Sequence, residues 1–457
     1  MCTYLYLHFY FERRNRVGTS FRGGVHPLKK MHEGKGLTCA DPVKPVTTGT
    51  VVIPMSMHLG APSNPCVAVG DVVKIGQVIA EPVGGLGLPV HASVSGKVTA
   101  VGPVQQLRGQ RETCITIEND MCEEWVELKP IAATVEEVPA EAIMPAVKAA
   151  GICGMGGAAF PTHIKLSIPE GKSADTIVLN GAECEPYLTA DHRLMLETPE
   201  RVVKGLQLIM KATGVGRGVI AIEDNKPDAV ASMQKAAQGA KGVEVLSMRT
   251  KYPQGSEKQL IQVVTGRQVP QKKLPIDAGV LVFNVSTAAA IADAILEGKP
   301  LVERITTVTG CVKEPHNLLL RIGTPFSVAV EACGGLTEDA AMILAGGPMT
   351  APCAPDLNVS VAKASNGILV FDKAQSKVFD EGPCIRCGRC VDVCPIRLLP
   401  YRIKDANEKG DVDLAVKYGM LDCVLCGACS YVCPARRYLT PACKSGKDLY
   451  AAMNRRK

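Results

Sequence analysis

Short runs of β-branched residues, broken by Gly and Pro, fill residues 23–117, the pattern of a small all-β unit. Within it, V-A-V-G-D-V-V-K-I-G-Q-V-I-A-E-P (residues 67–82) and L-P-V-H-A-S-V-S-G-K-V (residues 88–98) read as two strand groups joined by a hairpin at residues 81–88. The pattern changes between residues 139 and 298. There, apolar runs at 176–179 and 219–222 read as buried strands, and residues 200–213 and 228–238 as amphipathic helices, the first ended by Gly214. Such alternation predicts a parallel sheet covered on both faces. Residues 300–370 return to short strands with Gly-Gly and Pro turns, and residues 398–421 read as polar helix. The expected organisation is multidomain α/β plus β, with units at residues 21–125, 139–298, 300–370 and 376–445. An extension at 1–20, expected to be disordered, and a basic tail at 446–457 flank them.

Composition narrows the class. At 457 residues the chain exceeds the size at which single cores stop growing, and its 46% hydrophobic content is ample for several. The net charge of +6 is mild, and Lys and Arg are dispersed without aromatic interleaving, which argues against nucleic acid. No stretch offers the roughly 20 apolar residues of a membrane span; the nearest, residues 278–296, contains Asn284, Ser286, Thr287 and Asp293. At the N-terminus basic residues follow the apolar ones, the reverse of a secretory signal.

Eight of the 19 cysteines form two identically spaced runs. Cys384, Cys387, Cys390 and Cys394 read C-I-R-C-G-R-C-V-D-V-C-P, and Cys423, Cys426, Cys429 and Cys433 read C-V-L-C-G-A-C-S-Y-V-C-P. C-x2-C-x2-C-x3-C-P is the ligand spacing of a bacterial [4Fe–4S] site, and in tandem runs the fourth Cys ligates the other cluster. The expected ligand sets are therefore Cys384, Cys387, Cys390 and Cys433 for one cluster, and Cys423, Cys426, Cys429 and Cys394 for the second. Zinc or a disulfide framework is the alternative, but zinc ribbons use paired ligands and lack the two Cys-Pro endings. Cys443, just beyond, breaks the repeat and reads as structural. So many unpaired thiols beside iron–sulfur ligands argue for a reducing compartment.

Something must load such clusters. G-I-C-G-M-G-G-A-A-F-P-T-H-I-K (residues 151–165) places four glycines in seven residues, letting backbone N–H groups approach a phosphate or a flavin. Pro161 presets a helix start, where the dipole favours an anion, and Lys165 adds charge. The Gly214–Gly218 cluster precedes a strand, so it reads as a turn and not a dinucleotide loop. L-N-G-A-E-C-E-P-Y-L-T-A-D (residues 179–191) follows a strand, where the loops of open α/β sheets bind ligands. Asn180 can hold a flavin edge, and Glu183 and Glu185 can accept from ribose hydroxyls.

These two motifs resemble the FMN- and NADH-binding loops of the complex I flavoprotein subunit. The resemblance implies flavin contacts at Gly154, Gly156, Gly157, Lys165 and Asn180, with Phe160 near the nicotinamide and Glu185 beside the nucleotide. Y-P-Q-G-S-E-K (residues 252–258) resembles the family's Gly-Glu-Glu element and implies Gly255 and Glu257. F-N-V-S-T (residues 283–287) resembles its loop at the FMN phosphate and implies Asn284 and Thr287. Ala182, Ser256 and Phe283 depart from the family residues Asp, Glu and Asn.

Residues 67–98 resemble the half-barrels of lipoyl and biotinyl carrier domains, a barrel-sandwich hybrid, but the 81–88 hairpin lacks their modified Lys. An F-R-G-G-V-H-P start (residues 21–27), this half-barrel, a Rossmann-like FMN/NADH domain, a β-grasp (SLBB-like) unit at 305–347 and a helical two-cluster ferredoxin domain together resemble the RnfC family, the NADH-interacting subunits of ion-translocating Rnf complexes. That implies a peripheral protein on the cytoplasmic face of the membrane, docked on membrane and ferredoxin-like partners. It further implies hydride exchange between NAD(H) and FMN, and single electrons relayed through two [4Fe–4S] clusters. The competing readings are a cobalamin-reducing flavoprotein and a flavin-free wiring protein.

Overall fold

The computed structural model describes residues 19–26 and 34–455. The expectation of disorder for the extension therefore falls on residues that lie, up to 18, outside the described ones. Strand β1 (Lys44–Pro45) leads into all-β structure with β2 (Thr50–Pro54), β3 (Asn64–Pro65), β4 (Val72–Val73), β5 (Val78–Glu81), β6 (Val90–His91), β7 (Gly96–Gln105) and β8 (Arg111–Asn119). Two sheets, β2-β8-β7-β4 and β3-β5-β6, face one another over Val51, Ile53, Ile79, Val98, Ile115 and Ile117. β1 belongs elsewhere. It pairs in parallel with β14 of the later β-rich unit, so the first expected unit lends that sheet an edge strand.

The α/β unit holds four parallel strands: β9 (Thr176–Gly181), β10 (Gly218–Glu223), β11 (Val243–Met248) and β12 (Val280–Asn284), ordered β11-β10-β9-β12. Successive residues face opposite sides of each strand. Ile177, Leu179, Ile220, Ile222, Leu281 and Phe283 pack under the helices Pro199–Thr213 and Val285–Leu296. Val178, Val219, Ala221, Val280 and Val282 pack under the helix Glu257–Thr265, and Phe21 joins them. Each such aliphatic side chain contributes roughly 1.5–3 kcal/mol of burial. The alanine-rich helix Val285–Leu296 is the segment that came nearest to a membrane span. It is buried in the protein instead, with Asp293 ion-paired to Arg201. Gly205 makes this possible: a Cβ there would stand 1.9 Å from the Ala288 carbonyl oxygen.

The third unit adds β13 (Glu303–Gly310), β14 (His316–Arg321), β15 (Ala340–Leu344) and β16 (Gly367–Asp372) in the order β1-β14-β13-β16-β15, packed on the helix Phe326–Glu331. The last unit is helical. Its helices Pro400–Glu408 and Leu439–Arg455 pack together, and short turns Arg389–Asp392 and Ala428–Tyr431 carry the third cysteine of each run, Cys390 and Cys429. The basic C-terminal segment takes helical form. Residues 446–455 are the end of the helix Leu439–Arg455, Gly446 buried and residues 448, 449 and 451–454 exposed. Leu439, Cys443 and Gly446 recur at helical spacing and are buried, and Lys447 donates to the Cys423 carbonyl at 2.6 Å.

Candidate functional site

In the order β11-β10-β9-β12 the chain runs outward from β9 through β10 to β11 and then crosses back to place β12 on the other flank of β9, the reversal of strand order beyond whose C-terminal strand ends open α/β sheets form their ligand crevice. Asn180, the penultimate residue of β9, pairs with Asn284, which ends β12. Gly154, Phe160, Lys165, Asn180, Glu183, Glu185, Gly255, Glu257 and Asn284 are all half-buried, as crevice walls are.

Hydrogen bonds join these distant motifs. Asn180 Nδ2 donates to the Gly255 carbonyl at 2.8 Å, and its Oδ1 accepts from Ala182 N–H at 3.2 Å. Asn284 caps the 12-residue helix Val285–Leu296, its Oδ1 accepting from Ser286 N–H at 2.9 Å, so a helix N-terminus suited to an anion faces the crevice. Thr287 Oγ1 accepts from Met155 N–H at 2.9 Å and pins the Gly-rich loop to that helix. The loop closes through Gly154 N–H to the Phe160 carbonyl at 2.8 Å. A Cβ on Gly156 would stand 3.1 Å from the Asn284 Cβ, whereas at Gly157 it would meet nothing. The loop thus presents bare backbone to open space, which fits a planar ring or a phosphate.

Three of the expected groups have partners or limits within the fold itself. Glu183 accepts Asp191 N–H at 2.7 Å and His192 N–H at 3.2 Å, one through each carboxylate oxygen, so it caps the helix Ala190–Glu197. The helix after Pro161 has only five residues, Thr162–Leu166, too short for an appreciable dipole. Lys165 is 2.9 Å from Glu257 and lies over the Phe283 ring, so its charge is already partnered. Glu185 accepts from Thr350 Oγ1 at 2.6 Å and Met349 N–H at 3.1 Å. Burial pushes the carboxyls of Glu183 and Glu185 above the usual carboxylate range, with Lys35 opposing the shift in both. Sequence reasoning missed Asp191, which accepts from Asn284 Nδ2 at 2.7 Å and Ser286 Oγ at 2.6 Å.

The cysteines gather across the two runs. Cys384, Cys387, Cys390 and Cys433 line one cavity of about 250 Å³, at the surface. Cys394, Cys423, Cys426 and Cys429 line a second, tighter one, walled by Ile396, Leu398, Ile403 and Cys443. Among the described residues no three His, Cys, Asp or Glu converge closely enough for a single ion. The thiols surround a hollow, the arrangement of a cluster whose thiolates sit at separate corners. The second hollow lies toward the crevice. Tyr252 Oη donates to the Cys426 carbonyl at 2.7 Å and stands 3.4 Å from Glu185. Gly24 N–H donates to the Val393 carbonyl at 2.7 Å, and Val25 pairs with Tyr252.

Residues 147–293 match the Nuo51 FMN-binding domain, 19–122 the RnfC barrel sandwich hybrid domain, 305–352 the SLBB domain and 383–436 the 4Fe-4S dicluster domain. Fold, crevice and paired thiol hollows together define a flavin- and iron–sulfur-dependent oxidoreductase subunit. Its relatives are subunits of one kind of complex. The one from the Na(+)-translocating ferredoxin:NAD(+) oxidoreductase complex of Acetobacterium woodii is 45% identical over 96% of this chain and 98% of that protein. The one from the proton-translocating ferredoxin:NAD(+) oxidoreductase complex of Clostridium ljungdahlii is 45% identical over 88% of each. The one from the ion-translocating oxidoreductase complex of Rhodobacter capsulatus is 39% identical over 88% of this chain and 78% of that protein. The chain belongs to this family, the RnfC proteins. Among solved structures, an NAD+-reducing [NiFe]-hydrogenase in the H2-reduced state covers 72% of this chain and 64% of its own, with 19% identity and a TM-score of 0.49. Among the described residues no helix is long and apolar enough to cross a membrane.

Proposed function

We propose that this chain is the electron-carrying, nicotinamide-reacting member of a ferredoxin:NAD oxidoreductase that drives Na+ or H+ across a membrane, lying on the cytoplasmic face against membrane and ferredoxin-like partners. One observation carries the reading: a flavin-type crevice at the sheet's switch point abuts the inner of two four-thiol hollows within one polypeptide. Bound FMN would supply hydride exchange with NAD(H), and two [4Fe–4S] clusters would supply one-electron carriers.

The protein's own part is placement. Asn180, Gly154, Gly156, Gly157 and Gly255 offer a backbone-lined cradle for the flavin ring, and the helix N-terminus at Asn284 and Thr287 offers a phosphate seat. Phe160 offers a face to the nicotinamide, and Glu185, Lys165 and Glu257 edge the nucleotide side. Glu183 holds the helix start behind them. Cys423, Cys426, Cys429 and Cys394 would hold the inner cluster, and Cys384, Cys387, Cys390 and Cys433 the outer one. The order crevice, inner hollow, outer hollow leads toward solvent, since Cys394 is buried and Cys384 and Cys387 are exposed. Residues 376–457 contain 15 Lys and Arg against 9 Asp and Glu, which favours an acidic docking partner at that end.

Phe160→Ala tests the crevice assignment. The side chain is half-buried, so the fold should survive its removal. FMN content should stay near wild type while the KM for NADH rises about tenfold, the scale of one lost aromatic stacking contact. An unchanged KM would remove Phe160 from the site.

A further inference from the structure

The turn at residues 183–188 carries Glu183 and Glu185 at the crevice edge, and two of its residues adopt left-handed backbone without being glycine: Glu183 at φ +46° and Tyr187 at φ +70°. Such conformations persist only where the surroundings impose them. What imposes them comes from far away in sequence. Lys35, only 6% exposed, points its ammonium into the turn and donates to the carbonyls of Glu183 at 2.7 Å, Glu185 at 2.9 Å and Leu188 at 2.6 Å. An ammonium has three N–H groups, and this turn supplies an acceptor for each.

The segment bearing Lys35 is itself fastened on both sides. Gly34, at φ +73°, lets the Tyr187 ring lie against it; a Cβ there would stand 2.3 Å from that ring. Thr38 Oγ1 is 2.6 Å from Thr189 Oγ1, and the Thr38 carbonyl accepts from Asn317 Nδ2 at 2.8 Å. Arg193 donates to the carbonyls of Cys39 and Ala40 at 3.2 Å. Residues 34–40 therefore form a strap across the turn, anchored on the flavin-type unit and on β14.

We infer that Lys35 is the positioning residue of the nucleotide side of the crevice: its three-way clamp bends residues 183–188 so that the Glu185 carboxylate meets Thr350 and Met349 and the edge stays open for a nicotinamide nucleotide. This inference rests on the reading of the crevice given above. The ammonium also stands close enough to both carboxylates to oppose the rise that burial causes, so it holds charge as well as shape. Geometry and charge can be separated. Arginine keeps the charge, but its planar fork cannot direct donors to three converging carbonyls.

The test compares the full-length, cluster-reconstituted wild type with Lys35→Met, Lys35→Gln and Lys35→Arg. Amide hydrogen exchange at residues 183–188 is measured without flavin or nucleotide, and FMN affinity and NADH kinetics are measured with them. Lys35→Met should speed exchange at 183–188 at least about tenfold while β7, β8 and both cluster loops stay protected, this turn being a unit that opens locally. The KM for NADH should rise with kcat nearly kept. Lys35→Gln should fall between, and Lys35→Arg should not restore the turn. Unchanged exchange in Lys35→Met, or full recovery in Lys35→Arg, would overturn the clamp. If Lys35→Met does not fold, Lys35→Gln decides by the same exchange readout. Should the wild type bind neither FMN nor NADH, the crevice reading fails, while the exchange comparison still tests the clamp.

Discussion

Cys394→Ser is expected to erase the inner cluster's electron paramagnetic resonance signal and spare the outer one, although Cys394 belongs by sequence to the run that builds the outer one. Its thiol lines the hollow of Cys423, Cys426 and Cys429. Cys433 is the mirror case, lining the hollow of Cys384, Cys387 and Cys390. The local geometry repeats as well. Leu398 N–H lies 3.3 Å from Cys394 Sγ, and Arg437 N–H lies 3.5 Å from Cys433 Sγ, so each fourth cysteine receives the amide four residues on. Each single substitution should therefore remove roughly half of the bound iron, one [4Fe–4S] unit of two. The lost signal should be the one that sequence order would not have chosen. If Cys394→Ser instead removed the outer cluster and Cys433→Ser the inner, crossed ligation would be wrong.

Gly24→Ala is expected to uncouple the crevice from the inner hollow. Gly24 sits at φ +76°, and a Cβ there would lie 2.5 Å from the Tyr252 carbonyl oxygen. Alanine in that conformation costs more than about 1 kcal/mol even without the overlap. Tyr252 has little room to retreat, being 3% exposed with its hydroxyl on the Cys426 carbonyl. On its other side Gly24 donates to the carbonyl of Val393, next to Cys394. A methyl group therefore wedges apart the two surfaces across which electrons would pass. Flavin bleaching by NADH should remain near the wild-type rate. Cluster reduction in the same protein should slow severalfold, because electron transfer weakens steeply as the carriers move apart. Tyr252→Phe, which removes only the hydroxyl, should slow it less. Equal rates for bleaching and cluster reduction in Gly24→Ala would show that this contact does not set the distance.

What the sequence made legible was local. The two cysteine runs, the glycines of residues 151–157 and the strands at residues 176–179 and 219–222 carry their meaning in spacing; the strands lie within β9 and β10, and the cysteines line two hollows. What it hid depends on which segments meet. Lys35 is one of 51 basic residues with no neighbour to mark it, and its role exists only because residues 34–40 cross the 183–188 turn. Asp191 closed a motif already noted, and its fixed place there was the available signal. Glu183 looked like a free acid because a cap is invisible until the helix Ala190–Glu197 is seen to begin beside it. The C-terminal helix was legible in principle: Leu439, Cys443, Gly446 and Tyr450 recur at helical spacing, but seven basic residues among 436–457 drew attention to charge first.

One titration bears on the central claim most directly. The full-length protein, reconstituted anaerobically with FMN, iron and sulfide, is titrated with NADH while flavin absorbance and cluster resonance signals are followed together. The account predicts bound FMN, bleaching on the first additions, and then two distinguishable cluster signals arising in the same molecule without any added protein. Clusters that form fully while the chain binds no flavin, or flavin that bleaches while both clusters stay oxidised at excess NADH, would contradict it.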